Sequence, residues 1–308
     1  MQATKLEKQR YDRQDARFEL FYEGIGQAKE RLEMPTVVEH TLEENKHEYL
    51  LSFADIHYGS TFKSENNEYS REECAARFGV ILSATRDYVL KNGITHLKVL
   101  NCGDCIQGLI HMTDLQINDI PVVEAVVQVS RLLADFLNKL SAYCTIEYYQ
   151  VPESNHSQTR NLGSKASELA AEDMDTIIFN YISDLLANND RVKTFSNIGK
   201  DYVDFKIFDF DVIAMHGHTV KNKPLVIKDM STLHRKWYSY AFLGHLHTAE
   251  EITVGEENGN NIEVITVPSV VGSCPYSDSI RKGCKAMAKI YEFDAIYGHT
   301  GTKTIILN

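Results

Sequence analysis

The chain has 308 residues, of which 43% are hydrophobic, enough for one large domain or two small ones. Its 32 basic and 43 acidic side chains give a formal net charge of −11, which argues against a surface that attracts polyanions over its whole extent. The polar N-terminus and the lack of a long apolar stretch predict a soluble cytoplasmic protein without a membrane segment. Its six cysteines are sparse, as expected for reduced thiols in a reducing compartment.

The first 34 residues differ in composition from the rest of the chain. Acidic and basic residues are mixed there around a thin apolar set, which predicts an exposed helical extension over residues 1–34, followed by a single domain over residues 35–308. Tyr11, Phe18 and Ile25 recur at seven-residue steps. This spacing leaves two readings open, a homo-oligomer formed through the N-terminal helix or a solvated helix docked on the domain.

Short apolar runs beyond this extension predict strands, and the stretches between them predict helices. The expected strands cover residues 49–54, 97–100, 146–151, 205–208, 212–215, 240–243, 262–267 and 289–293. The expected helices cover residues 72–91, 120–142, 164–187 and 224–237. Strands and helices alternate early and strands dominate later, so we expect a layered α/β architecture with parallel pairing first and antiparallel pairing later.

Metal-binding types of residue follow five of the predicted strands. In layered α/β sheets, ligands collect at the carboxyl ends of the strands. The five segments are Asp55-Ile56-His57, Gly103-Asp104, Ser154-Asn155-His156, His216-Gly217-His218 and Gly244-His245-Leu246-His247. A single such segment is more often a turn with a surface histidine. Because histidine makes up only 12 of the 308 residues, its recurrence at four strand ends indicates a shared site.

The residue types suggest which ions such a site would bind. Two carboxylates, one amide and four imidazoles suit a pair of divalent transition-metal ions, with Mn²⁺ expected first and Fe, Ni or Zn as alternatives. Two such ions support in-line displacement at a phosphoryl group without a nucleophilic side chain. The sequence contains neither a Gly-x-Ser-x-Gly motif nor a phosphate-binding Gly-x-x-x-x-Gly-Lys-Ser/Thr loop.

In this order, the five segments resemble the motifs of the calcineurin-like metallophosphoesterase family over about residues 48–295. The resemblance implies a four-layer αββα sandwich with the metals at the edge where the two sheets meet. The residues implied to hold the first metal are Asp55, His57, Asp104 and His247. Those implied to hold the second are Asp104, Asn155, His216 and His245. Asp104 would bridge the metals, a metal-bridging hydroxide would attack phosphorus, and His156 would donate a proton to the leaving oxygen.

The sequence departs from the family pattern at two positions. Gln107 stands where phosphatases of the family have a second Asp, and Ser157 follows His156 where a carboxylate is usual. The family's DNA-repair nucleases also lack the second Asp, so we expect a nuclease-like phosphodiesterase acting on nucleic acid, single-stranded DNA or RNA, or on a nucleotide. Arg160 and His218 follow metal-bearing loops, where they either hold the nonreacting part of the substrate or are solvated loop residues.

Three other functions remain open at this point. The protein could be a phosphomonoesterase, or a scaffold that keeps its metals for stability or partner binding without catalysis. The run Cys102-Gly103-Asp104-Cys105 also contains a Cys-x-x-Cys pair, which is typical of thioredoxin-like redox sites. The metal-binding interpretation already explains the inner Gly-Asp of this run, and we therefore prefer it.

Overall fold

The computed structural model describes residues 32–38, 47–110, 112, 114–159, 172–279 and 283–308, without the side chains of residues 276 and 279. Nearly all of the predicted N-terminal helix, Arg160 and part of the helix predicted over 164–187 lie outside these residues. Residues 32–38 have no regular structure and run along a layer of helices, where Leu32 N donates to the carbonyl of Leu185 and Val38 N to that of Ala142.

The described chain forms thirteen strands and six α-helices. The strands are β1 (His47–Phe53), β2 (Phe62–Lys63), β3 (Glu68–Tyr69), β4 (His96–Asn101), β5 (Thr145–Gln150), β6 (Val192–Phe195), β7 (Tyr202–Ile207), β8 (Phe210–Met215), β9 (Tyr240–Leu243), β10 (Glu250–Glu257), β11 (Asn260–Thr266), β12 (Met287–Asp294) and β13 (Gly298–Ile306). The helices are α1 (Arg71–Asn92), α2 (Asp114–Ile117), α3 (Val122–Leu140), α4 (Met174–Leu185), α5 (Val226–His234) and α6 (Pro275–Ser279). None of the described helices is both long and apolar enough to cross a membrane.

Two mixed sheets form the centre of the domain. The first has the order β13-β12-β1-β4-β5-β6, in which β1, β4, β5 and β6 are parallel. The second has the order β10-β11-β9-β8-β7, in which β8, β9 and β11 are parallel. The α/β prediction is confirmed, but the expectation of antiparallel pairing in the later half is wrong in part. The helix α5 connects β8 to β9, and a helical crossover leaves the two joined strands parallel.

The hydrophobic residues of the described chain form three cores that separate four layers. One core lies between the first sheet and the helices α1, α3 and α4. The second lies between the two sheets, and the third between the second sheet and α5. The strand β1 contributes Leu51 and Phe53 to the helix side and Leu50 to the core between the sheets. Burial of both faces explains why residues 49–53 of β1 are apolar apart from the buried Ser52.

A buried arginine in α1 connects the helical layer to the edge of the first sheet. Arg77 is 1% exposed, and its guanidinium donates to the carbonyls of Val270 and Val271 at 2.8 and 2.9 Å. The backbone N–H groups of the same two residues donate to the carbonyls of Ala54 and Asp55. Arg77 therefore holds the segment that lies beside the end of β1.

We expect the substitution Arg77→Met to lower the free energy of unfolding by about 3 kcal/mol or more, because it removes the buried hydrogen bonds to Val270 and Val271 and leaves the carbonyl of Val270 without its side-chain donor. Urea denaturation followed by circular dichroism measures the change. Arg86→Met is the matched control on the same helix, since the side chain of Arg86 is 40% exposed and pairs with its neighbour Asp87, and its effect should stay within about 0.5 kcal/mol. Equal effects of the two substitutions would contradict this account of Arg77.

Candidate metal centre

The five polar segments converge at one edge of the domain because they follow neighbouring parallel strands. The strands β1, β4 and β5 end side by side in the first sheet, and β8 and β9 do so in the second. A hydrogen bond from His245 N to Asp55 Oδ1, 3.2 Å long, joins the two sheets at this edge. A Cβ at Gly244 would lie 2.8 Å from the carbonyl oxygen of Cys102, so only glycine permits this close approach.

The backbone is strained at most of the candidate ligands. Five of the seven have a positive φ in the left-handed region: Asp55 at 52°, His57 at 47°, Asp104 at 51°, His245 at 67° and His247 at 52°. Residues other than glycine adopt this region rarely, and when they do so in clusters they mark functional sites. The fold thus keeps these side chains at one point against the preference of their own backbones.

The first group of donor atoms surrounds His216. Its Nε2 lies 3.0 Å from Asp104 Oδ2 and 2.8 Å from Asn155 Oδ1. Its Nδ1 lies 2.9 Å from the carbonyl oxygen of Cys102, which can only accept, so Nδ1 carries the proton. A neutral ring then directs the lone pair of Nε2 at two oxygen acceptors. Three acceptors that face one another require a cation or an added proton between them.

The second group of donor atoms lies between β1 and β9. The Nε2 atoms of His57 and His247 face each other at 3.3 Å, and His247 Nε2 lies 3.7 Å from Asp55 Oδ1. Asp104 Oδ2 is 3.8 Å from His57 Nε2 and so reaches both groups. The other oxygen of Asp55, Oδ2, is buried and has no hydrogen-bond partner among the described residues. A buried carboxylate oxygen without a donor is what a bound cation would satisfy.

The charges of Asp104 and His216 stabilise each other. Burial alone would raise the pKa of Asp104, but the imidazoles of His216 and His156 outweigh it and hold that pKa well below its usual value. Burial also lowers the pKa of His216, yet the charge of Asp104 outweighs this effect and raises the pKa to about 9. A proton on His216 thus occupies the position between the acceptors that a metal ion would take.

The imidazoles of His57 and His245 are in the neutral form that binds metals. Burial lowers the pKa of His57 well below its ordinary value, and the nearby ring of His156 lowers it further. Burial and the proximity of His216 lower the pKa of His245 to about 4. Burial raises the pKa of Asp55 despite the surrounding imidazoles. Neutral imidazoles with free lone pairs next to an ionised Asp104 are consistent with metal binding, and the donor set fits divalent transition metals.

His156 lies beside both groups and is oriented by the backbone. Its N–H donates to Asp104 Oδ1 at 3.0 Å, and its Nδ1 lies 2.6 Å from the carbonyl oxygen of Gln107. The side chain of Gln107 points elsewhere, since its Nε2 donates to Asp114 Oδ1 at 3.1 Å. A Cβ at Gly108, whose φ is 61°, would lie 2.0 Å from the carbonyl oxygen of His156. Glycine is therefore required where this loop crosses the histidine.

Two further residues were predicted to contact substrate. His218 is half-buried beside the centre, with its ring centroid 5.6 Å from that of His216 and 6.2 Å from that of His245. Arg160 is outside the described residues. The structure thus brings His218 to the centre and gives no position for Arg160.

The thioredoxin-like alternative is wrong. Cys102 and Cys105 are both fully buried, but Cys102 packs between the two sheets and Cys105 packs on the helix side of the first sheet. Burial raises the pKa of both thiols well above the ordinary value. Buried thiols in separate cores lack the exposed low-pKa thiolate that disulfide exchange requires.

Two acidic side chains near the centre were not predicted from the sequence. Asp173 and Asp175 stand at the start of α4, and Ser154 donates to Asp175 Oδ2 from its Oγ at 2.6 Å and from its N–H at 3.1 Å. The available signal was the Asp-x-Asp pattern before an apolar run, which marks a helix start. The helix predicted over 164–187 placed these residues in its interior instead.

No family model matches the sequence. Among solved structures, the chain resembles Vps29 of Entamoeba histolytica in complex with Zn²⁺, with 14% identity, a TM-score of 0.38 and coverage of 84% of this chain and 99% of that one. It also resembles a hypothetical protein of Pyrococcus horikoshii OT3, with 12% identity, a TM-score of 0.42 and coverage of 84% and 87%. A predicted phosphoesterase of Streptococcus pneumoniae matches with 10% identity, a TM-score of 0.34 and coverage of 84% and 98%.

Among curated proteins, the chain is similar to the SPbeta prophage-derived uncharacterized protein YonJ of Bacillus subtilis (strain 168). The two sequences are 36% identical over 312 residues, which cover 100% of this chain and 77% of YonJ. Identity at this level over the full chain reflects common descent. The chain therefore belongs to the same protein family as YonJ.

Proposed function

We propose that the protein is a dinuclear metal-dependent phosphoesterase that hydrolyses phosphodiester bonds. The observation that carries the proposal is a set of three overlapping clusters of metal-binding side chains at the ends of five strands, with the candidate atoms of each cluster within 4.8 Å of one another. The clusters are Asp55-His57-His247, His57-Asp104-His156 and Asp104-His216-His245. Asp104 belongs to two of these clusters, as a bridging carboxylate would. Hydrogen-bond acceptors such as His216 Nε2, Asp104 Oδ2 and Asn155 Oδ1 face one another in this buried site. This arrangement supports occupation by cations rather than a purely structural hydrogen-bond network.

The residues that would hold the two ions are those of the two donor groups. One ion would be held by Asp55, His57, Asp104 and His247, and the other by Asp104, Asn155, His216 and His245. We expect Mn²⁺ first, with Fe, Ni or Zn as alternatives. When bound, such ions supply Lewis acidity toward a phosphoryl oxygen and lower the pKa of a coordinated water.

In this proposal His156 delivers a proton to the leaving oxygen from its Nε2. Its Nδ1 is held by the carbonyl of Gln107 at 2.6 Å, and a carbonyl only accepts, so Nδ1 keeps its proton throughout. Nε2 then carries a proton only in the imidazolium form, which is the form that acts as the acid. The hydrogen bond from His156 N to Asp104 fixes the distance between this acid and the metal-binding carboxylate.

The environment of His156 favours diesters over monoesters. A neutral carbonyl at Nδ1 stabilises an imidazolium less than a carboxylate at that position would, and the carboxylate of Asp114 is bonded to the amide of Gln107 rather than to His156 Nδ1. We therefore propose a phosphodiester substrate, such as single-stranded nucleic acid or a nucleotide, with His218 and Arg160 as contacts to its nonreacting part. The net charge of −11 requires that the grip on such a substrate be local.

Protein purified without chelator should contain close to two transition-metal equivalents by elemental analysis, and Mn²⁺ should restore hydrolysis of bis(p-nitrophenyl) phosphate to chelator-treated protein. Asp104→Ala should lose metal and lower kcat/KM by about 100-fold or more, because the carboxylate reaches both donor groups. His96→Ala removes a histidine far from the centre that bonds Thr145 and should change neither quantity. Full metal content and activity in Asp104→Ala would rule out the proposed centre.

The Mn²⁺-loaded protein should prefer diesters to p-nitrophenyl phosphate by about tenfold or more in kcat/KM, a difference of roughly 1.4 kcal/mol in transition-state stabilisation. The panel should contain bis(p-nitrophenyl) phosphate, single-stranded DNA, RNA and cyclic nucleotides. A monoester turned over far faster than every diester would identify a phosphomonoesterase instead. Two bound metals with no turnover of any substrate would support the non-catalytic scaffold.

His156→Ala should keep both metals while slowing the hydrolysis of diesters with poor alkoxide leaving groups by about 10²–10⁴-fold. The loss should be smaller with p-nitrophenolate, which leaves readily without a proton. Elemental analysis and single-turnover rates on matched substrates measure the two effects. Loss of one metal equivalent, or an equal rate loss for both kinds of leaving group, would assign His156 a different role.

A further inference from the structure

The turn that carries Asn155 and His156 pairs with residues 172–174, which lead into α4. Residues 157–159 run antiparallel to residues 172–174, with a bridge between Gln158 and Asp173 and hydrogen bonds from Thr159 N to the carbonyl of Glu172 and from Met174 N to that of Ser157. The chain that leaves the centre after His156 therefore returns to it at the start of α4.

Two acidic residues at the start of α4, Asp173 and Asp175, accept hydrogen bonds from this turn. Asp173 Oδ2 accepts from Glu153 N at 2.6 Å, and Asp175 Oδ2 accepts from Ser154 Oγ at 2.6 Å and Ser154 N at 3.1 Å. Ser157 closes the turn from the other side, because its Oγ donates to the carbonyl of Ser154 at 2.8 Å. Glu153 has a φ of 57°, so these bonds hold the turn in a conformation that its backbone disfavours.

The two carboxylates have different structural roles. Asp173 is the N-cap of α4, and its side chain accepts from Asp175 N, which accounts for its presence by helix stability alone. Asp175 is not the cap. Its side chain is fully buried and directed at Ser154, one residue before the candidate ligand Asn155.

Asp175 is an unfavourable residue for stability alone. Burial and the neighbouring charge of Asp173 raise its pKa to about 8, and its Oδ1 has no hydrogen-bond partner among the described residues. A buried carboxyl with an unsatisfied oxygen weakens a fold unless it has another use. Such exceptions to the rules of stability concentrate at functional sites.

We propose that Asp175 is a positioning residue of the metal centre, which acts through Ser154 to hold Asn155 at the second metal position and His156 at the leaving oxygen. The proposal rests on the function proposed above. It adds a buried carboxyl group from α4 to a centre whose candidate ligands all follow strand ends. The hydrogen bond between Asp175 and Ser154 fixes the direction of the neighbouring candidate ligand Asn155. In the same way, the carbonyl of Cys102 fixes the direction of the His216 imidazole.

The test compares variants that keep or remove the acceptor for Ser154. Asp175→Asn retains an acceptor oxygen in a side chain of the same shape, so its Mn²⁺ affinity and kcat should stay close to those of the unmodified protein. Asp175→Leu fills a similar volume without an acceptor. It should weaken binding of the more weakly held Mn²⁺ by about 10- to 100-fold and lower kcat with little change in KM.

Isothermal titration of chelator-treated protein with Mn²⁺ gives the affinity without reference to activity, and circular dichroism establishes that each variant is folded. Ser154→Ala is the milder companion should Asp175→Leu fail to fold, and it should weaken the same Mn²⁺ step. Ser130→Ala is the matched control, because Ser130 is equally buried but bonds only the carbonyl of Val126 within α3. In the double variant Ser154→Ala/Asp175→Leu, the loss of Mn²⁺ affinity should not exceed the larger of the two single losses, because both substitutions remove the same contact.

The proposal is overturned if Ser154→Ala and Asp175→Leu bind both Mn²⁺ equivalents as tightly as the unmodified protein and differ from it only in thermal stability. Failure of the proposed function has a different signature. An unmodified protein that binds two metals but hydrolyses no phosphoester would overturn the enzymatic activity alone, since the affinities of the variants would still decide the role of Asp175. An unmodified protein that binds no metal would overturn both.

Discussion

The carboxylate and backbone of Asp104 hold the centre together, because this one residue contacts three of the loops that form it. Its carbonyl oxygen accepts from the N–H groups of Ile56 and His57 at 2.9 and 3.0 Å, which fixes the loop after β1. Its carboxylate accepts from His156 N and lies 3.0 Å from His216 Nε2, which fixes the loops after β5 and β8. With 1% exposure, this charge depends on the surrounding donors and cations for compensation, so the loops cannot move independently of it.

The close approach of the two sheets explains why such a residue can reach so many partners. Gly244 brings the end of β9 against Cys102, and the N–H of the next residue, His245, donates to Asp55. Alone, the first sheet would present four candidate ligands and the second sheet three. The junction of the sheets brings the two sets of candidate ligands together at one point. Arg77 holds the neighbouring segment at Val270 and Val271 from the helix side.

Much of this arrangement was predictable from the sequence, since the ends of β1, β4 and β5 are buried on both faces and a candidate ligand follows each strand within five residues. The strands β10 and β13 were not predicted, because neither is a buried apolar run in the sequence. The burial pattern of β10 is almost wholly exposed, and β13 alternates small and polar residues at the edge of its sheet. The contact between Ser154 and Asp175 spans 21 positions, and no local pattern predicts a pairing over such a distance. Roles that depend on a tertiary contact, as that of Asp175 does, need the folded chain.

The left-handed backbone at five candidate ligands also affects how long the protein survives. At about 1 kcal/mol per residue, the strain amounts to a sizeable fraction of the 5–15 kcal/mol by which a typical domain is stable. Ions that bind only the folded chain return this free energy in proportion to the logarithm of their concentration. If the centre binds ions as proposed, the fraction of molecules open to proteolysis would rise when metal is scarce, and the abundance of the protein in a cell would become a function of metal supply.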